Sequence, residues 1–326
     1  MADMAKRFTI VDVVEIIWSQ GLFAENLTRL YGQALPSGSE KEQHCGTGPF
    51  LLALVEDTCP RYARRRLGSG RAVVNTATLD AKQRYRSWTG GGHRVHATLS
   101  PHETERDLFL LLGERPERFL GAPSWDGTTR TLRLDLTGAR GWSTAAELLT
   151  ALDVTLRYVV LQAADERQLL QLLVDDLWWA RAIAKADRLA GSLHTVEIAG
   201  NLVEIDLRET GDGSLMLAWQ SAILRERVRG ADGTALPTPE HQLQLAIAHL
   251  GTAAADTNSA LIPELARRAG AAAADYADPA AARRAHAAFL ADLERDERAH
   301  GERSSTRFAR LLRSARRTQS PTRDLN

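Results

Sequence analysis

Two histidines beside a glycine run are the residues of this chain best suited to chemistry. The run Gly90-Gly91-Gly92 is followed closely by His93 and His96. Three consecutive glycines can adopt positive φ or lie close to a ligand. A neutral imidazole, held in one tautomer by a partner on its second nitrogen, is a nucleophile that can attack a phosphoryl group. The segment therefore indicates a site that handles phosphate.

The elements that must position His96 are predicted directly around it. Residues 94–98 are predicted as a short strand that carries this histidine. Ser100 and Glu103 have the spacing of a capping box, with a proline in the first turn, so a helix is expected to begin at this point. Asp107 lies within the predicted helix. Its carboxylate can serve as the partner that orients the imidazole.

Positive charge is concentrated in two nearby segments. Residues 61–71 are rich in arginine, and residues 79–88 are predicted as a helix that presents Lys82 together with two arginines. Attack on a γ-phosphoryl group requires clustered positive charge for the equatorial oxygens, although such a run can also be a solvated face. The candidates for phosphate binding are Arg64, Arg84, Arg86 and Arg94.

The composition limits the class of protein. The chain has 326 residues, a formal net charge of zero and a pI of about 7.2, which does not indicate a global electrostatic attraction to nucleic acid or membrane. No apolar run has the length of a membrane span, and residues 1–7 lack the apolar core of a signal peptide. The two cysteines, Cys45 and Cys59, have no metal-ligand spacing. We expect a cytoplasmic protein with neither nucleic acid nor membrane as a partner.

Three segments in the first third of the chain match the motifs of one family. Residues 93–100, H-R-V-H-A-T-L-S, align with N-x-x-H-G-S-D-S. Residues 48–52, G-P-F-L-L, align with an S-G-P-V strand, and residues 64–68, R-R-R-L-G, with R-x-x-L-G. In these segments the chain resembles a nucleoside diphosphate kinase. The predicted order β-α-β-(α)-β-α also fits a split β-α-β sandwich of the ferredoxin-like type.

This resemblance implies a role for each matched residue. His96 falls on the phospho-accepting histidine, Thr98 on its hydroxyl neighbour, and Asp107 on the carboxylate two helical turns into the next helix. The lysine after the family's first strand has no counterpart in residues 10–12, a gap for which the arginine cluster could compensate. The ligand is expected to be ATP or another nucleoside triphosphate, with Mg²⁺ held through the nucleotide. The expected nucleotide-binding residues are Arg64, Arg84, Arg86, Arg94, His93, Gly91 and Gly92.

The middle of the chain resembles a nucleotidyltransferase. Residues 157–161 and 172–177 are similar to its first two strands, and residues 204–208 to the strand with its third carboxylate. Leu169 and Gln171 stand where active members have the D-x-D pair of a two-metal site. The two domains together also resemble a bacterial family of unassigned function, with W-T-G-G-G-H-x-x-H-A-T as its signature. The resemblance thus implies a nucleotidyltransferase-like domain without its metal-binding pair.

The predicted architecture is α/β (α+β). A ferredoxin-like split β-α-β sandwich is followed by a nucleotidyltransferase-like α/β domain and a helical C-terminal region. The predicted boundaries are a nucleoside diphosphate kinase-like domain at 1–120, a linker at 121–143, a nucleotidyltransferase-like domain at 144–235, a helical region at 236–303 and a disordered basic tail at 304–326.

Three functions remain open from the sequence. The first is a phosphotransferase that moves the γ-phosphoryl group of a nucleoside triphosphate through a phosphohistidine to an unidentified small-molecule acceptor. The second is a non-catalytic nucleotide-binding or assembly subunit built from degenerate kinase-like and nucleotidyltransferase-like domains. The third is nucleotidyl transfer through Asp175, Asp176 and Asp206. Assembly into a homo-oligomer is left open.

Overall fold

The chain folds into a mixed α/β arrangement of helices and small sheets. The structure, a computed structural model, describes residues 1–67, 70–162, 169–248, 255–272, 276 and 278–317. The α-helices of these residues are α1 (Ala2–Ala5), α2 (Phe23–Tyr31), α3 (Glu40–Cys45), α4 (Thr76–Trp88), α5 (Pro101–Leu112), α6 (Ala145–Asp153), α7 (Leu177–Ala184), α8 (Leu217–Glu226), α9 (Pro239–Ala248), α10 (Ala255–Arg268) and α11 (Pro279–Arg317). The strands are β1 (Thr9–Ile17), β2 (Phe50–Glu56), β3 (Tyr62–Leu67), β4 (Gly70–Asn75), β5 (Arg130–Arg133), β6 (Tyr158–Gln162), β7 (Leu170–Val174), β8 (Asp187–Ala190), β9 (Leu193–Ile198), β10 (Asn201–Glu209), β11 (Val228–Arg229) and β12 (Ala235–Leu236).

Contacts between residues divide the chain into two units. Unit 1 comprises Met1–Tyr158 and Gln162–Leu207, and unit 2 comprises Val159–Leu161 and Arg208–Asn326. Unit 1 therefore spans sequence that was assigned to two predicted domains. The predicted boundaries themselves stay a prediction.

The first sheet of unit 1 is built around β1. This strand pairs antiparallel with β2 and parallel with β5, in the order β2-β1-β5. Val14 and Ile16 of β1 are fully buried. The continuous apolar run at residues 49–55 predicts a buried strand. It forms β2, but at the edge of this sheet, where Leu51 is 64 % exposed. An edge strand packs fewer neighbours, which explains why an apolar run is only partly buried.

Helix α5, which carries Asp107, begins and ends as its sequence predicts. The Ser100 hydroxyl accepts a hydrogen bond from the Glu103 amide at 3.2 Å. The Glu103 carboxylate accepts one in return from the Leu99 amide at 2.6 Å. Gly113 ends the helix with φ of +69°, a conformation that glycine adopts at little cost. These caps fix the helix and therefore the position of Asp107 along it.

The second sheet has the strand order β6-β7-β10-β9-β8. The sequence around Gly200 and Asn201 predicts a hairpin, and β9 and β10 pair as one across the turn at Ala199 and Gly200. The sequence of residues 177–190 predicts a single helix, but the helix in the structure, α7, ends at Ala184. Lys185 adopts φ of +55° and ends α7, and the chain continues as β8, which pairs antiparallel with β9. Pairing with a neighbouring strand outweighs local helix preference at this point.

A buried arginine connects distant segments of unit 1. Arg29 of α2 is 1 % exposed. Its Nη2 donates to the carbonyls of Thr137 at 2.7 Å and Ile183 at 3.1 Å. Burial lowers the pKa of this guanidinium to about 10. Helix α2 is thus held to residues more than a hundred positions later in the chain.

Unit 2 contains α8 to α11. One of its apolar clusters joins α9, α10 and the start of α11, and its buried members are Leu243, Ala246, Ile247, Ile262, Ala266 and Ala282. Helix α11 extends to Arg317 and so includes the first part of the tail predicted as disordered, while residues 318–326 lie outside the described residues. Among the helices described, none is both long and apolar enough to span a membrane.

Candidate functional site

His96 is paired with the carboxylate that the sequence assigned to it. Its Nε2 lies 2.9 Å from Oδ2 of Asp107. The Asp107 side chain is 5 % exposed, whereas that of His96 is 30 % exposed. A buried carboxylate therefore holds one nitrogen of an imidazole that solvent and ligands can reach.

The second oxygen of Asp107 has its own partner. Arg106 donates from Nε at 2.9 Å and from Nη2 at 2.7 Å to Oδ1. Both oxygens of the carboxylate are thus engaged, and the guanidinium offsets the cost of burying a negative charge. Nδ1 of His96 has no hydrogen-bond partner among the described residues.

The segment that carries His96 differs from its prediction. Residues 94–98 were predicted as a strand, and this prediction is wrong, because the structure has no strand there. The backbone carbonyls accept hydrogen bonds from side chains of α4 instead of from a neighbouring strand. Arg86 Nε donates to Val95 O at 2.9 Å, and Lys82 Nζ donates to Ala97 O at 3.1 Å. Two cations, one helical turn apart, therefore position the histidine.

Several cationic groups influence one another around this segment. The pKa of Lys82 is lowered by burial, then by the charge of Arg86. The pKa of Lys41 is likewise lowered by burial and by Arg86. For His93 the pKa is lowered by burial and then by Lys41 and Arg86. Like charges that repel one another in this way would be stabilised by a bound anion.

Tyr31 lies in contact with both Lys41 and His96. Its ring lies edge-on to His96, with 5.0 Å between the ring centroids. Lys41 Nζ lies 3.6 Å from the centroid of the Tyr31 ring, in a cation–π contact. Burial raises the pKa of the Tyr31 phenol, and the charge of Asp107 adds to this shift. The hydroxyl therefore stays protonated and able to donate a hydrogen bond.

The glycine run adopts the backbone conformation that its composition permits. Gly91 and Gly92 have φ of +82° and +67°. Arg94 closes the loop, donating from Nη1 to Thr89 O at 2.8 Å and from Nε to His44 O at 3.3 Å. A Cβ on Gly92 would lie 3.1 Å from Nδ1 of His44, so a larger residue would press on that ring.

The remaining predicted site residues are distributed more widely. His93 lies beside His44, with 5.7 Å between the ring centroids. The Thr98 hydroxyl lies 2.9 Å from that of Thr104, on the first turns of α5. Arg84 and Arg86 are two residues apart on α4, so their side chains do not share a face of the helix. Nη1 of Arg84 lies 3.6 Å from Oδ1 of Asp3 instead.

Arg64 lies on β3, which pairs with β4 in a two-stranded sheet of its own. Its side chain is exposed, and it makes no ion pair among the described residues. Within the described part of the chain, Arg64 contacts neither His96 nor the cations around it.

The carboxylates of the predicted nucleotidyl-transfer site take part in local interactions. Asp175 forms an ion pair with Arg157 at 2.9 Å. Asp176 caps α7 by accepting a hydrogen bond from the Trp179 amide. Asp206 on β10 is 2 % exposed. Among the residues that the structure describes, no group of three His, Cys, Asp or Glu side chains is placed to hold a metal ion.

Sequence reasoning did not assign three residues that lie around His96. Lys82 was noted only as part of a basic helix, yet its spacing of four residues from Arg86 indicates a shared face. Lys41 and Tyr31 lie far from His96 in sequence, and no local pattern marks them. We call Lys41, Lys82 and Arg86 the cationic cluster.

Comparisons with models of protein families, with curated proteins and with solved structures found no match for this chain.

Proposed function

We propose that unit 1 binds a nucleoside triphosphate and that His96 Nδ1 accepts its γ-phosphoryl group. The observation that carries this proposal is the 2.9 Å contact between Asp107 Oδ2 and His96 Nε2. A carboxylate at Nε2 favours the tautomer with its proton on that nitrogen. The lone pair of the neutral ring is then on Nδ1, the nitrogen available for attack.

The transfer balances with the groups present. As the lone pair of His96 Nδ1 forms a bond to the γ-phosphorus, the bond from that phosphorus to the bridging oxygen breaks. The oxygen leaves with the nucleoside diphosphate. The imidazole gains positive charge and keeps its Nε2 proton against Asp107, which stabilises that charge. An acceptor oxygen then attacks the phosphorus and the bond from phosphorus to Nδ1 breaks, with its electron pair returning to the ring. The acceptor releases its own proton to solvent, and the imidazole is neutral again.

The cationic cluster supports the binding of phosphates. Lys41, Lys82 and Arg86 keep donors free, because Lys82 uses one N–H on Ala97 O and Arg86 uses only Nε on Val95 O. Nucleoside diphosphate kinases have a lysine after their first strand, and residues 10–12 of this chain contain none. Lys41 and Lys82 would supply positive charge in its place. The clustered cations would stabilise the phosphoryl oxygens during transfer.

Mg²⁺ fits this proposal as an ion held through the nucleotide. Both oxygens of Asp107 already have partners, His96 and Arg106. When bound, the ion would neutralise charge on the phosphate oxygens, with water completing its coordination.

The same proposal includes a fold type for each of two segments. We infer a ferredoxin-like, nucleoside diphosphate kinase-like arrangement in residues 1–120 and a nucleotidyltransferase-like arrangement in residues 144–235. Support comes from β1, α2, β2, α4 and α5, which occur in the predicted order, although α3 and the β3–β4 hairpin lie between them and no strand forms at His96. The second sheet contains β6, β7 and β10, the three strands on which the nucleotidyltransferase resemblance depends.

The test is transfer of label from γ-labelled ATP in the presence of Mg²⁺. The proposal predicts a label on the protein that is labile in acid and stable in base, and that is lost in His96→Ala. His102→Ala is the matched control, since His102 is a histidine of the same helix region whose Nε2 contacts Thr155 O at 3.2 Å, outside the cationic cluster. A label that persists in His96→Ala would contradict the proposal.

A second candidate, nucleotide binding without transfer, is favoured by one contact. Arg106 donates twice to Asp107, and this reduces the negative charge that the carboxylate offers to His96. A non-hydrolysable ATP analogue, followed by calorimetry, distinguishes the two functions. Binding of the analogue without label from ATP would support the binding subunit, whereas binding with label would support the phosphotransferase.

A further inference from the structure

The β3–β4 hairpin carries a large positive charge that no part of the described chain neutralises. Its arginines are Arg61, Arg64, Arg65, Arg66 and Arg71, and residues 58–79 contain no Asp or Glu. All five are exposed, and none forms an ion pair among the described residues. Elsewhere in unit 1, exposed arginines such as Arg115 and Arg130 are paired with carboxylates. The hairpin is therefore a concentrated basic surface on a chain of zero net charge.

The pairing register places three of these arginines on one face. Arg64 lies opposite Val73, and Arg66 lies opposite Arg71. Side chains of directly paired residues, and of every second residue along a strand, share a face of the sheet. Arg64, Arg66 and Arg71 therefore share a face with Val73, which is 55 % exposed. We call this the arginine face.

The hairpin is anchored only at its base. Val74 and Asn75 at the end of β4 are buried, whereas residues 70–73 are exposed. Asn75 donates from its side chain to Asp57 at 2.7 Å and from its backbone to Leu99 O at 2.9 Å. Among the described strands, no third strand pairs with β3 or β4. A two-stranded ribbon of about 20 Å, at about 3.3 Å per residue, is thus held at one end.

We propose that this ribbon binds double-stranded DNA by entering the major groove with the arginine face. The major groove of B-form DNA admits a two-stranded β-ribbon, and the arginines lie on both strands, where they can reach phosphates on either side. A single strand would require successive aromatic platforms, and Tyr62 is the only aromatic residue of the hairpin. An RNA duplex has a deep, narrow major groove that excludes the ribbon. The expectation of no nucleic-acid partner was based on the net charge of the whole chain, which hides this local charge.

The test is fluorescence anisotropy of the full chain with a labelled DNA duplex of about 20 base pairs over a range of salt concentrations. Arg66→Gln/Arg71→Gln removes two charges of the arginine face and leaves Arg64 in place. Arg115→Gln/Arg118→Gln is the matched control, because both arginines are exposed but paired with Glu105 and Glu114.

The hairpin variant is expected to bind at least about tenfold more weakly at low salt. The slope of log K against log salt should become shallower by about 1.8, from two lost phosphate contacts at about 0.9 each. The control should bind within about twofold of the natural chain. Equal weakening in both double variants, or none in the hairpin variant, would overturn the proposal.

Three further ligands distinguish the proposed groove contact from general polyanion binding. A single strand of the same length, an RNA duplex of the same sequence and polyglutamate of equal charge should each bind more weakly than the DNA duplex. Equal or tighter binding of any one would overturn the DNA assignment. His96→Ala should bind DNA as the natural chain does, so failure of the phosphotransfer proposal leaves this one unaffected.

Discussion

Lys82 donates a hydrogen bond to the carbonyl of Ala97 at 3.1 Å. A helix side chain therefore holds the backbone next to the histidine proposed as the nucleophile. The same ammonium belongs to the cationic cluster, where burial and the charge of Arg86 lower its pKa. One residue thus both orders the His96 segment and adds positive charge for a phosphate.

Replacing Lys82 by methionine should weaken nucleotide binding. Lys82→Met keeps much of the side-chain volume but removes the charge and the hydrogen bond. We expect the Kd for a non-hydrolysable ATP analogue with Mg²⁺ to rise by about tenfold, equivalent to about 1.4 kcal/mol. Calorimetry is the measurement, with Lys6→Met as the control because Lys6 is exposed and outside the cluster. An equal effect of both variants would argue against the cluster.

Replacing Asp107 by asparagine should slow transfer more than it weakens binding. The amide removes the negative charge that stabilises the developing imidazolium and can favour the wrong tautomer of His96. We expect the labelling rate from γ-labelled ATP to fall by about 100-fold or more, with the Kd of the analogue changed by only a few-fold. Glu105→Gln, a change of the same type on the same helix, should label at the natural rate. Unchanged labelling in Asp107→Asn would exclude an orienting role.

Replacing Gly32 by alanine should destabilise unit 1. Gly32 ends α2 with φ of +61°, and a Cβ there would overlap the indole of Trp179. Strain and overlap together should lower the free energy of unfolding by about 3 kcal/mol or more.

Gly113 provides a matched control for this prediction. It ends α5 with φ of +69°, but a Cβ there would meet only Thr137 Oγ1, at 3.7 Å. Gly113→Ala should therefore cost only about 1 kcal/mol, the strain of the left-handed conformation. Denaturant unfolding followed by circular dichroism measures the free energy of unfolding of both variants. Equal losses of this free energy would show that the Trp179 indole does not pack against Gly32.

Acidification should destabilise unit 2 through His241. This residue is 1 % exposed, and its Nδ1 accepts a hydrogen bond from Trp219 Nε1 at 3.2 Å. Burial lowers the pKa of His241, although the negative charge of Glu226 acts in the opposite direction and raises it. The unfolded chain therefore binds more protons than the folded chain between the lowered pKa and the unfolded value of about 6.5. Stability in this window should fall as pH falls.

The change His241→Asn tests this pH dependence. Asparagine can still accept from Trp219 but does not titrate, so unfolding free energy measured between about pH 7.5 and 5.5 should depend less on pH. His44→Asn, at an exposed position, should retain the pH dependence of the natural chain. A slope for His241→Asn equal to that of the natural chain would contradict the assignment.

The sequence by itself determined the features that depend on neighbouring residues. The capping of α5, its end at Gly113 and the positive φ values of the glycine run follow from residue type and short spacing. The resemblance to nucleoside diphosphate kinases also implied the pairing of His96 with Asp107, and these side chains lie 2.9 Å apart. Such local signals act within a few residues, and tertiary contacts did not alter them here.

The tertiary structure decided what depends on distant partners. Whether residues 94–98 form a strand depends on a neighbour for their carbonyls, and side chains of α4 take that place. Residues 187–190 form β8 instead of extending α7 because β9 lies alongside. Lys41 and Tyr31 join His96 only through folding, since long-range packing, which no local spacing encodes, sets which side chains meet.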